Sequence, residues 1–215
     1  MMAETLQKCS ELFQIPISSD QIDKFTIFAD ELRKWNRKIN LTAIEGDQDI
    51  ALKHFFDSLL PHKYLDLTGR LLDIGSGGGF PAIPLRIVTG LDEVLSVDSI
   101  EKKINFQRHV ARLLKLERFG AIHSRGELLS GDHSKAYDIV ISRAFSDIPK
   151  FVQIASPLIA NNGKIVAMKG LTGAAEAKEA EGFLAENAMR IDNVIEYSLP
   201  LTGDRRSLVV IERVK

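Results

Sequence analysis

The 215 residues predict an α/β fold: a mostly parallel sheet with a C-terminal antiparallel strand, preceded by an N-terminal helical extension. Three features carry that prediction. From residue 70 onward, short apolar runs alternate with helical stretches, the signature of a parallel sheet covered on both faces. A glycine-rich turn, GSGGG at 75–79, directly follows the first of those runs. The chain ends with VIEYSLP, the polar loop LTGDRR and SLVVIERV, the pattern of an antiparallel pair.

The first sixty or so residues are helical in pattern. With Leu32 at 0° on a wheel of 100° per residue, Phe25, Phe28, Trp35 and Ile39 fall within about 60° of it. Arg33, Lys34, Arg37 and Lys38 fall on the opposite face, and Ile27 lies off the apolar stripe. A second short helix is expected over Asp49 to Leu60, ending near Pro61. Beyond it, LLDIG (71–75), VLSVD (94–98), FGAIHS (119–124), YDIVIS (137–142) and KIVAM (164–168) have the makeup of buried strands. Helices are expected between them at 82–89, 101–116, 148–159 and 174–188. The chain thus divides into a helical extension, 1–66, and a sheet domain, 67–215.

Composition narrows the partners. Twenty-eight basic against 29 acidic residues leave a net charge of -1, so a polyanion must be caught by a local basic patch. The lone Cys9 rules out an intramolecular disulfide and a cysteine-rich zinc site, and the five histidines show no metal-ligand spacing. Neither a signal peptide nor an 18-residue apolar span is present, so a cytoplasmic protein without a membrane segment is expected. Nothing demands a dimer, and a monomer is the expectation.

The glycine turn sits where doubly wound folds bind ligands. No lysine followed by Ser or Thr completes a phosphate-binding P-loop here. The dinucleotide fingerprint G-x-G-x-x-G fails at Phe80 when read from Gly75, although the weaker form ending at Ala82 fits from Gly77. An acid just before the turn, Asp73, with Asp98 ending the second strand, resembles the class I S-adenosylmethionine-dependent methyltransferases. That resemblance implies that Gly75 and Gly77 admit the methionine part of S-adenosylmethionine. Asp98 would accept hydrogen bonds from its ribose, and Gly126 with Glu127 in SRGEL (124–128) would meet the adenine. Nicotinamide enzymes place a similar acid near Asp98, so that residue alone does not separate the two classes.

The fourth strand ends ISRAF (141–145), without the N-P-P-Y or D-P-P-Y of adenine amino-methylases, and no cysteine lies in the sheet domain for cytosine-C5 chemistry. ELRKWNRKINLTAI (31–44), HFFDSLL (54–60), LDIGSGGGFPAIPL (72–85), SRAF (142–145), MKG (168–170) and RRSLVVIERV together resemble the RsmG (GidB) family over nearly the whole chain. Gly78 stands where relatives often carry proline. The resemblance implies methylation of N7 of guanine 527 in 16S ribosomal RNA, either naked or in an assembling small subunit. It places cofactor contacts on Gly75, Phe80, Gly126, Glu127 and Arg143.

Guanine N7 carries a lone pair and no proton, so no catalytic acid or base is expected. The work is to hold N7 in line with the methyl group at about 3–3.5 Å, with Arg143 as organiser of the site. RNA contacts are expected on the α-helical face of Arg33, Lys34, Arg37 and Lys38, and on Arg205 with Arg206 in a loop near the sheet end. A solvated helix face, helped by an i,i+4 Asp30–Lys34 pair, is the alternative for the first of these. His54 and Asp57 either face the cofactor or make an interdomain hydrogen bond, and the second reading is favoured. Two rival functions stand beside the methyltransferase: a nicotinamide-dependent oxidoreductase, and a noncatalytic cofactor-binding scaffold on RNA or the ribosome.

Overall fold

The computed structural model describes residues 2–129, 131–143, 145 and 147–214. Helices α1 (Met2–Phe13) and α2 (Ser19–Ile39) open the chain. A capping box starts α2, in which Ser18 Oγ accepts from Gln21 N while Gln21 Oε1 accepts from Ser18 N. The second helix is longer than its sequence pattern implied. It runs as α3 (Asp47–Asp49), a π-helical segment (Ile50–Phe56) and α4 (Asp57–Tyr64). Pro61 does not end it: the ring costs one backbone bond, but the next turn still closes, Leu65 N donating to Pro61 O at 2.9 Å. Ile50, Leu52, Phe55, Phe56 and Leu59 are all fully buried, as expected of a helix that is apolar around its circumference.

The sheet domain follows as β1 (Arg70–Ile74), α5 (Ala82–Val88), β2 (Glu93–Asp98), α6 (Glu101–Leu113), β3 (Phe119–His123) and β4 (Tyr137–Arg143). It continues with α7 (Ile148–Ala155), β5 (Ile159–Lys169), α8 (Gly173–Glu186), β6 (Met189–Ser198) and β7 (Arg205–Arg213). The seven strands take the order β3-β2-β1-β4-β5-β7-β6. The first five run parallel, and β7 is antiparallel to both of its neighbours. The expected helix 148–159 stops at Ala155, because Pro157 has no N–H with which to continue it and Leu158 N turns back to Ala155 O. The strand expected at 164–168 accordingly begins earlier, at Ile159.

Side chains alternate between two core layers, as the two-residue period of a strand requires. Leu71, Ile139, Ile141 and Val166 pack beneath α5, α6 and the N-terminal helices. Leu72, Val140, Ile165 and Val209 pack against α7 and α8. The apolar stripe of α2 lies where its spacing put it: Phe25, Phe28 and Leu32 are fully buried, whereas Ile27 is 40% exposed. Phe28 stacks on Phe80 at 5.3 Å and meets Phe106 at 6.1 Å, so the N-terminal helices and the sheet domain share one core. No helix among the described residues is long and apolar enough to cross a membrane.

Candidate active site

Strand β1 ends at Ile74, and the glycine loop begins by docking on β2, Gly75 N and Ser76 N both donating to Val97 O. Gly75, Gly77 and Gly79 all have positive φ, of 77°, 58° and 89°. They do so for different reasons. A Cβ on Gly79 would lie 2.5 Å from Ile83, so close packing forbids one, whereas a Cβ on Gly77 would meet nothing within 4 Å. Gly77 therefore leaves open space above the loop.

Two acids hold this loop, in different ways. Asp98 accepts from Gly77 N and from Ile100 N, both at 2.8 Å. Asp73 is fully buried and accepts from Ala82 N at 3.1 Å, tying the loop to the start of α5. Burial pushes the Asp73 carboxyl well above the usual range, against the bond from Ala82 and the Arg143 charge, while Asp98 pushes the same way as burial. From behind, Gln107 of α6 donates to Ser76 Oγ at 2.7 Å and to Gly77 O at 2.8 Å. Sequence reading missed Gln107. Its only signal is a polar residue among the buried positions of α6, visible once Phe106 and Val110 are known to face the core.

Gly75, Asp98, Gly126 and Glu127 line one cleft of about 300 Å³ with Ile74, Val97 and Phe145. Glu127 is exposed on a one-turn 3₁₀ helix, Gly126–Leu128. Gly126 is also a packing requirement, since a Cβ there would come within 2.8 Å of Ile154 and 2.9 Å of Ile74. Phe80 is not brought into the cleft. Its ring is buried, stacked on His54 at 4.4 Å, and lies beneath the Arg143 guanidinium at 5.0 Å. The apolar packing of the N-terminal layer claims the ring and turns it away from the glycine loop.

A second cavity, of about 480 Å³, opens on the other side of Phe145 and is lined by Lys53, His54, Asp57, Arg143, Lys169 and Arg206 among others. Arg143 ends β4 and reaches the π-helical segment, Nη1 donating to Lys53 O at 3.0 Å and Nη2 lying 3.2 Å from His54 Nδ1. A guanidinium only donates, so Nδ1 must be the acceptor and the ring proton sits on Nε2, 2.7 Å from Thr42 Oγ1. Burial, then the Arg143 charge, pull the His54 pKa down to about 3. The imidazole is neutral near pH 7. Asp57, also buried, lies 3.7 Å from Arg143 and 3.8 Å from Arg206. Burial raises its pKa against the pull of both arginines. His54 and Asp57 thus bind Arg143 to the N-terminal layer, which is the interdomain reading, and neither lines the glycine-loop cleft.

The basic patches are redistributed. Arg205 and Arg206 are the first residues of β7 and not part of a loop, and strand alternation separates them. Arg205 pairs with Glu196 outside, while Arg206 turns into the Arg143 cavity. On α2, Arg33 is held by Asp30 and Asp47, both at 2.6 Å. Lys34 pairs with Glu31 at i,i+3, because Asp30 is already taken by Arg33 and the expected Asp30–Lys34 pair does not form. Arg37 and Lys38 remain exposed.

Among the described residues no cluster of His, Cys, Asp and Glu could hold a metal ion. A mixed sheet in the order β3-β2-β1-β4-β5-β7-β6 with β7 antiparallel, together with a glycine loop after β1 and an acid closing β2, is the arrangement of the class I S-adenosylmethionine-dependent methyltransferases. The fold agrees with a SAM-dependent methyltransferase from Aquifex aeolicus, at TM-score 0.61 and 15% identity, covering 80% of this chain and 96% of that one. A ribosomal protein L11 methylase from Lactobacillus delbrueckii subsp. bulgaricus aligns at TM-score 0.58 and 17% identity, covering 76% and 79%. The profile of the GidB family, rRNA small subunit methyltransferase G, matches residues 21–209. Ribosomal RNA small subunit methyltransferase G of Geotalea uraniireducens is 54% identical over 198 residues, covering 92% of this chain and 90% of that protein. The same enzyme of Bacillus cereus is 35% identical, covering 99% and 91%. The chain belongs to the GidB family and is a SAM-dependent methyltransferase, which displaces the oxidoreductase and scaffold readings.

Proposed function

We propose that this enzyme transfers a methyl group from S-adenosylmethionine to N7 of guanine 527 of 16S ribosomal RNA, and that it acts as a monomer. The observation that carries the reading is the pair of cavities meeting at Phe145, one built on glycines and carboxylates, the other on Arg143 and Arg206. The first fits the cofactor. Gly77 has open space where a side chain would stand, Asp98 has lone pairs beyond the two it uses, and Glu127 is an exposed acceptor. Gly75 and Gly77 would take the methionine part, Asp98 the ribose, and Gly126 with Glu127 the adenine. Once bound, the cofactor would supply the methyl group on a sulfonium, with a neutral thioether as the leaving group.

The second cavity is left to receive the nucleotide. Arg143 and Arg206 present positive charge suited to its phosphate, and Phe145 forms the wall shared by both partners. His54 Nδ1 is committed to Arg143, so the imidazole is a support for that arginine, consistent with an acceptor atom that has no proton to lose. Catalysis then rests on placement. The test is methyl transfer from tritiated cofactor to small-subunit RNA, and to intact small subunits, lacking the modification. Chain cleavage specific to N7-methylguanine would map the product. Label at guanine 527 N7 is expected; label at another atom or nucleotide would overturn the reading.

A further inference from the structure

On the far edge of the sheet from the Arg143 cavity, the second half of α6 and strand β3 enclose a groove of about 440 Å³. Its walls carry three cations, Arg108, Arg112 and Lys115, against one acid, Glu117, and its floor is Leu116 and the half-buried Phe119. Across residues 101–118, six Lys and Arg face only two acids, Glu101 and Glu117, in a chain whose net charge is -1. Arg108, Arg112 and Lys115 of the lining, and Arg118 between the lining residues Glu117 and Phe119, are all exposed, and none of them takes part in an ion pair among the described residues. The contrast with α2 is direct, since there Arg33 and Lys34 are already neutralised by neighbouring acids.

The end of α6 shows that a cation is kept here at a structural cost. Leu116 N donates to Ala111 O and Lys115 N approaches Arg112 O, the pair of bonds that closes a Schellman motif. Lys115 occupies the left-handed position of that motif, at φ 50°, where glycine is the residue without a Cβ penalty. Arg118 repeats the choice at φ 51°. Favourable charge at a helix C-terminus accounts for Arg112 and Lys115. It does not account for Arg118, which lies beyond the helix; Arg108, in its interior, also ties α6 to β3 through Nε to Ala121 O at 2.9 Å.

We propose that this groove is a second RNA-contact surface, taking the phosphodiester backbone of the substrate strand that flanks the target nucleotide. The proposal rests on the RNA-methyltransferase reading above. Charge complementarity selects the occupant, because the unpaired cations border an aromatic floor that offers a base or ribose an apolar face. Strand β3 is four strand spacings of about 4.8 Å from β5, and Phe119 begins its strand level with Ile139, four residues of about 3.3 Å before Arg143, so groove and cavity stand roughly 20–25 Å apart, a distance that an extended RNA segment of several nucleotides spans.

The test is the triple variant Arg112→Gln, Lys115→Gln, Arg118→Gln, which retains the bond from Arg108 Nε to Ala121 O that ties α6 to β3. Binding to a small-subunit RNA fragment containing the target loop is measured by anisotropy across a salt series. Three lost phosphate contacts should flatten the log–log slope by about 2.1–2.7, at roughly 0.7–0.9 each. KM for RNA should rise at unchanged kcat, with cofactor affinity as in the wild type. The single change Arg118→Gln, outside the helix, should flatten the slope by about one contact even if the triple variant is destabilised. Wild-type slope and KM in both variants overturn the proposal, and so does a groove that binds polyglutamate while RNA binding is unaffected by the substitutions. Failure of the wild type itself to methylate small-subunit RNA would instead refute the underlying function.

Discussion

Gly77→Ala separates a loop shaped for a ligand from a loop that merely turns. Gly77 sits at φ 58°, so any Cβ there carries the left-handed penalty, about 1–2 kcal/mol. That cost falls on stability and says nothing of ligands. The space above it is the informative quantity: an added Cβ meets no atom of the protein within 4 Å. A methyl group can therefore be accommodated in the free protein, but it occupies the volume assigned to the methionine part of the cofactor. Gly203 provides the control, with φ 69°, equally open surroundings, and a place in the β6–β7 turn, whereas Gly77 is hydrogen-bonded to Asp98, a residue of the cleft wall.

Both variants should thus lose about 1–2 kcal/mol of unfolding free energy in urea titrations. Only Gly77→Ala should lose cofactor affinity by calorimetry. Crowding of this kind costs about 1–3 kcal/mol, or roughly 5- to 150-fold in Kd. Equal cofactor affinity in a folded Gly77→Ala protein would refute the assignment of this loop, and an equal loss in Gly203→Ala would show that backbone strain alone is responsible.

Asp98→Asn keeps the shape of the side chain but leaves one acceptor oxygen for Gly77 N and Ile100 N, and none to spare for a ribose. A loss of about 1.5–3 kcal/mol in cofactor binding is expected by calorimetry, and a change under about 0.5 kcal/mol would mean the carboxylate touches no ligand. His54 bears on acid stability. Its folded pKa is about 3 against an ordinary 6.5, so between those values the unfolded chain binds the extra proton and stability falls as pH drops. The raised carboxyls of Asp57 and Asp73 act in the opposite sense, so the comparison must be between proteins. Wild type should lose up to about 1.4 kcal/mol more per pH unit than His54→Gln between pH 6 and 4 in urea titrations. Parallel stability curves would show that the imidazole is protonated or exposed in the folded protein.

Much of this molecule is written locally. Leu32, Phe28 and Phe25 announce a buried helix face by spacing alone, and the runs at 71–75, 94–98 and 137–142 announce strands by composition. Gly75, Asp98, Gly126 and Glu127 could be grouped before any coordinates, because a parallel sheet brings the ends of successive strands to one edge. Pro61 and Pro157 show the limit of such signals. One was accommodated within a helix and the other ended one, although local sequence marked only the first as a stop.

Tertiary structure decided everything that depends on where a side chain points. Phe80 follows the glycine loop in sequence, yet its ring belongs to the N-terminal core, since stacking on His54 and Phe28 removes it from water. Arg143 finds its acceptors about 90 positions away, and Gln107 braces a loop 30 positions before it. The two patches expected to grip RNA are divided for the same reason, with Arg37 and Lys38 exposed and Arg206 in the Arg143 cavity. Acids from an adjacent turn and helix neutralise Arg33 and Lys34, and the pleat of β7 sends Arg205 and Arg206 to opposite sides. Periodicity and propensity are properties of a segment, so one chain is enough to see them; pairing, burial and charge balance belong to segments far apart in sequence, and only the folded arrangement sets which of them meet.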